Sequence, residues 1–265
     1  MHPLLNIAIR AARRAGDGIA RQANRLDRLT VNSKQVNDFV TEADEQAEQS
    51  IIETVRKAYP DHAFLAEESG ASGDSNTCWI IDPLDGTTNF IHGLPQFAVS
   101  IAVQVEGRLE HGVIYDPMRQ ELFTASRGNG AFLDDRRIRV SSCRHLRDAL
   151  IATGLPYRDF THIDPYFGML RQIMLGSTGI RRAGSAALDL AWVASGRHDG
   201  FWELGLQPWD IAAGMLLVQE AGGVTGNLQG QPRCLDQGNI VAGNPAIFAA
   251  LVREIRPHLN DELSR

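Results

Sequence analysis

The chain is poor in the features that mark secreted, zinc-bound or membrane proteins. Among 265 residues there are 3 cysteines, Cys78, Cys143 and Cys234, and none stand in CxxC spacing. An odd, scattered set of thiols suggests neither a disulfide framework nor a cysteine zinc site. The 8 histidines show no H-x-x-x-H or related spacing, so a histidine-ligated zinc enzyme is not suggested either. No apolar run approaches the ~20 residues that a membrane span needs. The opening stretch "MHPLLNIAIRAARRAGDGIA" is interrupted by Arg10, Arg13 and Arg14 and is unlike a signal peptide. A basic excess is missing too: Asp+Glu 32 outweigh Lys+Arg 26, for a net charge of -6. Direct, sequence-specific nucleic-acid binding is therefore not expected. These absences leave a cytoplasmic globular protein without membrane attachment, long enough for one large domain.

What is present divides into two patterns. Leu4, Ala8, Ala11, Ala12, Ala15 and Ile19 fall three or four apart, which predicts an amphipathic opening helix. Thr41 is placed to cap a second helix that runs through Ala47, Ile51, Ile52 and Val55 toward Tyr59-Pro60. From about Ala63 to Val140 short β-type runs follow one another, with turns at Glu106-Gly107 and Gly128-Asn129-Gly130, and read as an antiparallel meander. After about Ser141 strands and helices alternate, as in α/β layering. The expectation is one domain over residues 1–265 with a soft division into 1–140 and 141–265.

The second pattern is acidic. Glu67-Glu68 closes "AFLAEE", Asp82 and Asp85 close and follow "CWIID", and Asp210 opens a predicted helix in "LQPWDIAAG". Strand ends and helix starts meet at one rim of a layered fold, so these acids can converge. Burying several carboxylates together is costly unless a hard divalent cation repays their desolvation. In "DPLDGTT", Pro83 fixes a turn that can leave the Leu84 carbonyl beside Asp82 and Asp85. Gly86 permits close backbone approach, and Thr87 and Thr88 begin a helical turn whose N–H groups and hydroxyls suit a phosphate. An aspartyl-nucleophile phosphatase would show D-x-D-G-T, whereas here the aspartates are three apart. Asp44, three residues after Thr41, also fits a capping box. The "GSAALDLA" stretch fits a close-packing helix start, and Phe201-Trp202 and Met215 to Leu217 fit the core.

Together, "NDFVTEADEQAE", "FLAEESG", "WIIDPLDGTTNFIHGLPQFAVSIA", "GSAALDLAWVASGRHDGFWE" and "PWDIAAGMLLVQEAGG" resemble the inositol monophosphatase family, lithium-sensitive and magnesium-dependent sugar phosphatases. The likeness covers nearly the whole chain and points to the family's bacterial extragenic-suppressor branch. It implies a layered α-β-α-β-α sandwich of the inositol monophosphatase and fructose-1,6-bisphosphatase type, an α/β (α+β) fold that is often a homodimer. It implies two to three Mg²⁺ ions: Glu67, Asp82 and the Leu84 carbonyl for the first, and Asp82, Asp85 and Asp210 for the second. A weaker third ion would sit near Glu67 through water.

By the same likeness Asp44 and Thr87, with Glu67, would activate the attacking water. The amides of Gly86, Thr87 and Thr88 would bind phosphate. The polyol ring would meet Asp85, Arg181, Gly184, Ala186, Glu203 and Asp210. Alternation along a strand implies that Arg181 and Arg182 face opposite ways, so one at most reaches the substrate. Ser185 stands where many family members have threonine, and Lys34 only approximates a family lysine on the metal-binding loop. Specificity would lie in the loops Arg158 to Tyr166 and Gly184 to Glu203. The implied activity is release of phosphate from myo-inositol 1-phosphate or similar esters. An alternative, also by resemblance, is a regulatory protein of ribosomal-RNA transcription antitermination that joins RNA polymerase through a NusA-type partner.

Overall fold

A computed structural model describes residues 2–23, 31–35, 38–156 and 159–264, with the backbone alone described for 31–35, 38 and 39. The Lys34 side chain, Asn37 and Arg158 lie outside the described residues. The opening helix, α1 (Pro3–Ala23), buries Leu5, Ala8, Ala11, Ala12, Ala15 and Ile19, the predicted stripe displaced only at its first member. A short antiparallel ribbon, β1 (Val31–Gln35) and β2 (Asp38–Thr41), leads into α2 (Glu42–Arg56). Thr41 caps α2: its hydroxyl accepts from the Ala43 N–H at 3.1 Å, and its own N–H donates to Asp44 Oδ2 at 2.8 Å. The capping box read from the spacing is thus formed.

The first sheet contains β3 (Ala63–Ala66), β4 (Gly70–Ser72) and β5 (Thr77–Asp85). After the single turn of α3 (Thr87–Ile91) come β6 (Ala98–Val105), β7 (Arg108–Asp116), β8 (Glu121–Ser126), β9 (Gly130–Leu133) and β10 (Arg136–Arg137). Their order is β10-β9-β8-β7-β6-β5-β3-β4. From β5 onward the sheet is the expected antiparallel meander, but β3 and β5 are parallel. The reason is β4, a three-residue edge strand that hairpins back on β3 and sends the chain across to β5's side.

The second sheet is built from β11 (Leu150–Thr153), then α4 (Ile163–Gly176), β12 (Gly179–Arg181), α5 (Ala186–Ala194), β13 (Gly200–Glu203) and α6 (Pro208–Glu220). It is completed by β14 (Val224–Gly226), the one-turn α7 (Cys234–Gln237), β15 (Ile240–Gly243) and α8 (Pro245–Ile255), in the order β12-β11-β13-β15-β14.

Strand alternation divides the core between layers. Trp79, Ile81, Val99, Ile101 and Val103 pack on α1 and α2, whereas Ile80, Ala98, Ala102 and Ile114 pack on α5 and α6. Phe201 and Ala242 close the middle layer from the second sheet, while Ile151, Trp202 and Val241 turn outward to α4 and α8. The layers therefore run α-β-α-β-α. The middle layer is pressed tight: a Cβ on Gly112 of β7 would lie 3.0 Å from the Ala213 carbonyl, so α6 rests directly on the strand. No helix among the described residues is long and apolar enough to cross a membrane.

Candidate active site

The spacing of the two aspartates in "DPLDGTT" has a geometric explanation. Regular alternation would send residues three apart to opposite faces of a strand. Along β5, however, Asp82 pairs with Ser100 and Asp85 with Ala98, so one extra residue is accommodated between them. Pro83, which has no N–H to give to a ladder, suits such a bulge. Asp82 and Asp85 consequently face the same side, into a cavity of about 280 Å³. The Asp82 carboxylate accepts the Leu84 N–H at 3.0 Å and keeps the bulge closed.

Further groups arrive at this cavity from both sheets. Glu67 follows β3, Glu203 ends β13 and Asp210 stands in the first turn of α6; all three line it, as do Leu84, Gly86, Thr87, Thr88, Gly184, Ser185 and Ala186. Gly86 holds the turn with φ +99°, and a Cβ there would lie 2.8 Å from the Gln96 carbonyl. No side chain fits that place. Asp85 Oδ2 accepts from Ser185 Oγ at 2.6 Å and from the Ala187 N–H at 2.7 Å, which fastens the start of α5 to the site.

Asp44 does not itself line the cavity and acts on it through a neighbour. Its Oδ2 accepts from the Thr41 hydroxyl at 2.6 Å, and its Oδ1 accepts from the Thr87 hydroxyl at 2.9 Å. The same Thr87 oxygen lies 3.0 Å from the Leu84 carbonyl, so one proton has two acceptors to choose from. Helix capping and a contact with the cavity-lining Thr87 are shared by a single buried carboxyl group.

Electrostatics mark the cavity as a seat for positive charge. Burial pushes the Asp82 carboxyl well above its ordinary range, and Glu67, Asp85 and Asp210 push it further. Asp85 is raised to about 7 by burial and Asp210, and Glu203 to about 8 by burial, against the pull of Arg182. Among the described residues, no three acidic, histidine or cysteine side chains are already gathered tightly enough to cage an ion alone. Mutual repulsion keeps such acids apart, and a carbonyl and water complete the shell of a hard cation. The donor set is all oxygen, which fits Mg²⁺ and not zinc or copper.

One expected substrate-contact residue is not among those that line the cavity. Arg181 does not line the cavity; Arg182 does. β12 ends at Arg181, and Arg182 lies in the segment leading to Gly184, so one of the two reaches the cavity. The sequence reading also passed over three contributors. Glu48, one turn after Asp44 and buried, accepts the N–H groups of Glu68 at 2.8 Å and Ser69 at 2.9 Å, fixing the backbone that follows Glu67. Its i+4 offset from Asp44 on the apolar face of α2 was the available signal. Asn89 donates to the Gln96 and Ala183 carbonyls at 2.8 and 2.9 Å, with Gly184 O at 3.3 Å, and binds the turn after Asp85 to the loop before α5. Gly154, at the end of β11, also lines the cavity.

Residues 1–260 match the profile of the inositol monophosphatase family. The chain belongs to that family. Over 271 residues it is 55% identical to the Nus factor SuhB of Pseudomonas aeruginosa, with 100% of both chains covered. Its fold superposes on the extragenic suppressor protein SuhB of Bartonella henselae with a TM-score of 0.94, at 47% identity over 97% of this chain and 100% of that one. The inositol monophosphatase of Anabaena follows with a TM-score of 0.85, at 38% identity over 96% of this chain and 95% of that one. The layered sandwich is thus that of the inositol monophosphatases, and membership supports a phosphatase.

Proposed function

We propose that the chain is a Mg²⁺-dependent phosphomonoesterase that converts myo-inositol 1-phosphate, or a similar polyol phosphate, to the free alcohol and phosphate. The observation that carries this reading is the convergence of Glu67, Asp82, Asp85 and Asp210 on one cavity beside the Gly86–Thr88 turn. Glu67, Asp82 and the Leu84 carbonyl would hold one ion, Asp82, Asp85 and Asp210 a second, and Glu67 a weaker third through water. Bound there, the ions would neutralise phosphate oxygens, lower the pKa of the attacking water and steady the departing alkoxide.

The protein's own groups do the rest. The Gly86, Thr87 and Thr88 amides and the Thr88 hydroxyl meet the phosphate oxygens. Thr87 donates its proton to Asp44 Oδ1, which leaves its oxygen lone pairs to accept a hydrogen bond from the incoming water. As water attacks phosphorus, its proton passes to Thr87 Oγ1 and the threonine proton to Asp44, while the P–O ester bond breaks; the departing alkoxide takes a proton from a solvent water, and Asp44 returns its own to solvent. Asp85, Ala186, Gly184, Glu203 and Arg182 form the wall on which the polyol rests. The test is phosphate release from inositol 1-phosphate with Mg²⁺, inhibited by Li⁺. Asp85→Asn should abolish turnover, and full activity in that variant would sink the mechanism.

The full-length identity to a protein named Nus factor SuhB favours a second, compatible reading. In it the chain joins an antitermination complex in the cytoplasm, as a homodimer, through a NusA-type partner. The contact surface would lie apart from the acidic cavity. Retention by the C-terminal region of NusA from the same organism tests it, and no retention at micromolar protein counts against it.

A further inference from the structure

Glu203 is 9 % exposed, and its carboxyl group lines the cavity with the Arg182 charge nearby. The place that carboxyl occupies is open to it only because the neighbouring residue is Gly154. β11 and β13 run parallel with Thr153 opposite Trp202, so the next pair in register is Gly154 and Glu203, whose side chains would leave the sheet on the same face. A Cβ built on Gly154 would coincide with the Glu203 carboxyl group, which lies across the bare glycine Cα. Both residues line the same cavity.

We propose that Gly154 is a specificity-determining residue: by lacking a side chain it seats the Glu203 carboxyl where it engages a hydroxyl of a polyhydroxylated leaving group. This rests on the phosphomonoesterase reading with its polyol substrate and adds to it the residue that sets where the Glu203 carboxyl stands. The three heavy atoms nearest to a Gly154 Cβ all belong to the Glu203 carboxyl group, so the glycine's influence falls on the alcohol side of the ester. The displaced group in a Gly154→Ala variant is the far end of a flexible side chain, and the fold should tolerate the shift.

The experiment compares KM and kcat for myo-inositol 1-phosphate and for phenyl phosphate, whose leaving group carries no second hydroxyl. Gly154→Ala should raise KM for the inositol ester about tenfold, the effect of one lost hydrogen bond to a buried carboxyl, and that for phenyl phosphate less than about threefold. Removing the carboxyl first makes the second change redundant: in a Glu203→Ala background, Gly154→Ala should add less than about twofold. KM does not depend on the folded fraction, so the single variant reports the split between the two esters even where it folds poorly, and the double variant leaves room for the new methyl. Equal losses on both esters, or full additivity in the Glu203→Ala background, would show an ordinary packing role and overturn the proposal. A wild-type chain inert toward both esters would remove the phosphatase reading itself, and the proposal with it.

Discussion

Helices α2 and α6 begin alike and serve the cavity differently. Each carries an aspartate at its third position whose Oδ2 accepts the backbone N–H of the residue before the helix, from Thr41 at 2.8 Å and from Gln207 at 2.7 Å. Beyond that the surroundings diverge. Asp44 is fully buried and meets the cavity only through Thr87, while Asp210 is half-exposed in the cavity wall itself. A local cap is therefore compatible with two roles, and the neighbours of the second carboxyl oxygen decide between proton handling and charge provision.

Replacing each aspartate by asparagine preserves an oxygen for the cap and separates the roles. Asp44→Asn should lower kcat about a thousandfold, as expected for loss of a general base, with Mg²⁺ half-saturation little changed. Asp210→Asn should lose about a hundredfold in activity and recover part of it as Mg²⁺ is raised, because its loss is one of affinity. Steady-state kinetics over a Mg²⁺ series checks both, and identical Mg²⁺ profiles for the two variants would break the contrast.

A second acid sharpens the difference. Helix α2 carries Glu48 one turn beyond Asp44, whereas α6 continues as Ile211, Ala212, Ala213 and Gly214 without another charge. Glu48→Gln replaces one of two acceptor oxygens by a donor facing an N–H. Its Mg²⁺ affinity, measured by calorimetry on the protein without substrate, should weaken about tenfold.

The β13 end of the cavity gives a pH signature. Glu203 is raised from its ordinary 4.5 to about 8, so between those values the folded chain holds a proton that the unfolded chain has released. Stability of the metal-free protein should then fall as pH rises through this window, since the unfolded state binds fewer protons. Glu203→Gln should melt roughly 3–6 °C above wild type at pH 8.5 in chelator and close to wild type at pH 4. A thermal melt at the two pH values decides it.

The smallest expected effect is at the caps. Thr41→Ala should cost about 1–2 kcal/mol by denaturant titration and Gln207→Ala less, since threonine is the better cap.

The helices and the central strands were legible because burial writes its period into the sequence. α1, α2 and β5 follow their apolar spacing, and Asp82, Asp85, Glu67 and Asp210 were found because strand ends and helix starts share a rim. The parallel pairing of β3 with β5 was not legible, because the deciding element, Gly70–Ser72, is too short to carry a period. Arg182 in place of Arg181 at the cavity was not legible either, because Arg181 was taken from the family likeness and Arg182 lies just past the end of β12, where no strand period places it. Glu48 and Gly154 escaped because their roles belong to contacts between elements distant in sequence, Glu48 with the Glu68–Ser69 backbone and Gly154 with Glu203.

The Asn89 amide has two hydrogens and three carbonyls within reach, one before β6 and two before α5. In mechanical terms it is a rivet. The Gly86–Thr88 turn and the loop before α5 are clamped to one another without any ligand, so in the proposed reaction the two ends of the ester would be received by a single jaw. Any opening of the cleft must then pivot elsewhere, and cutting the rivet would loosen both ends at once.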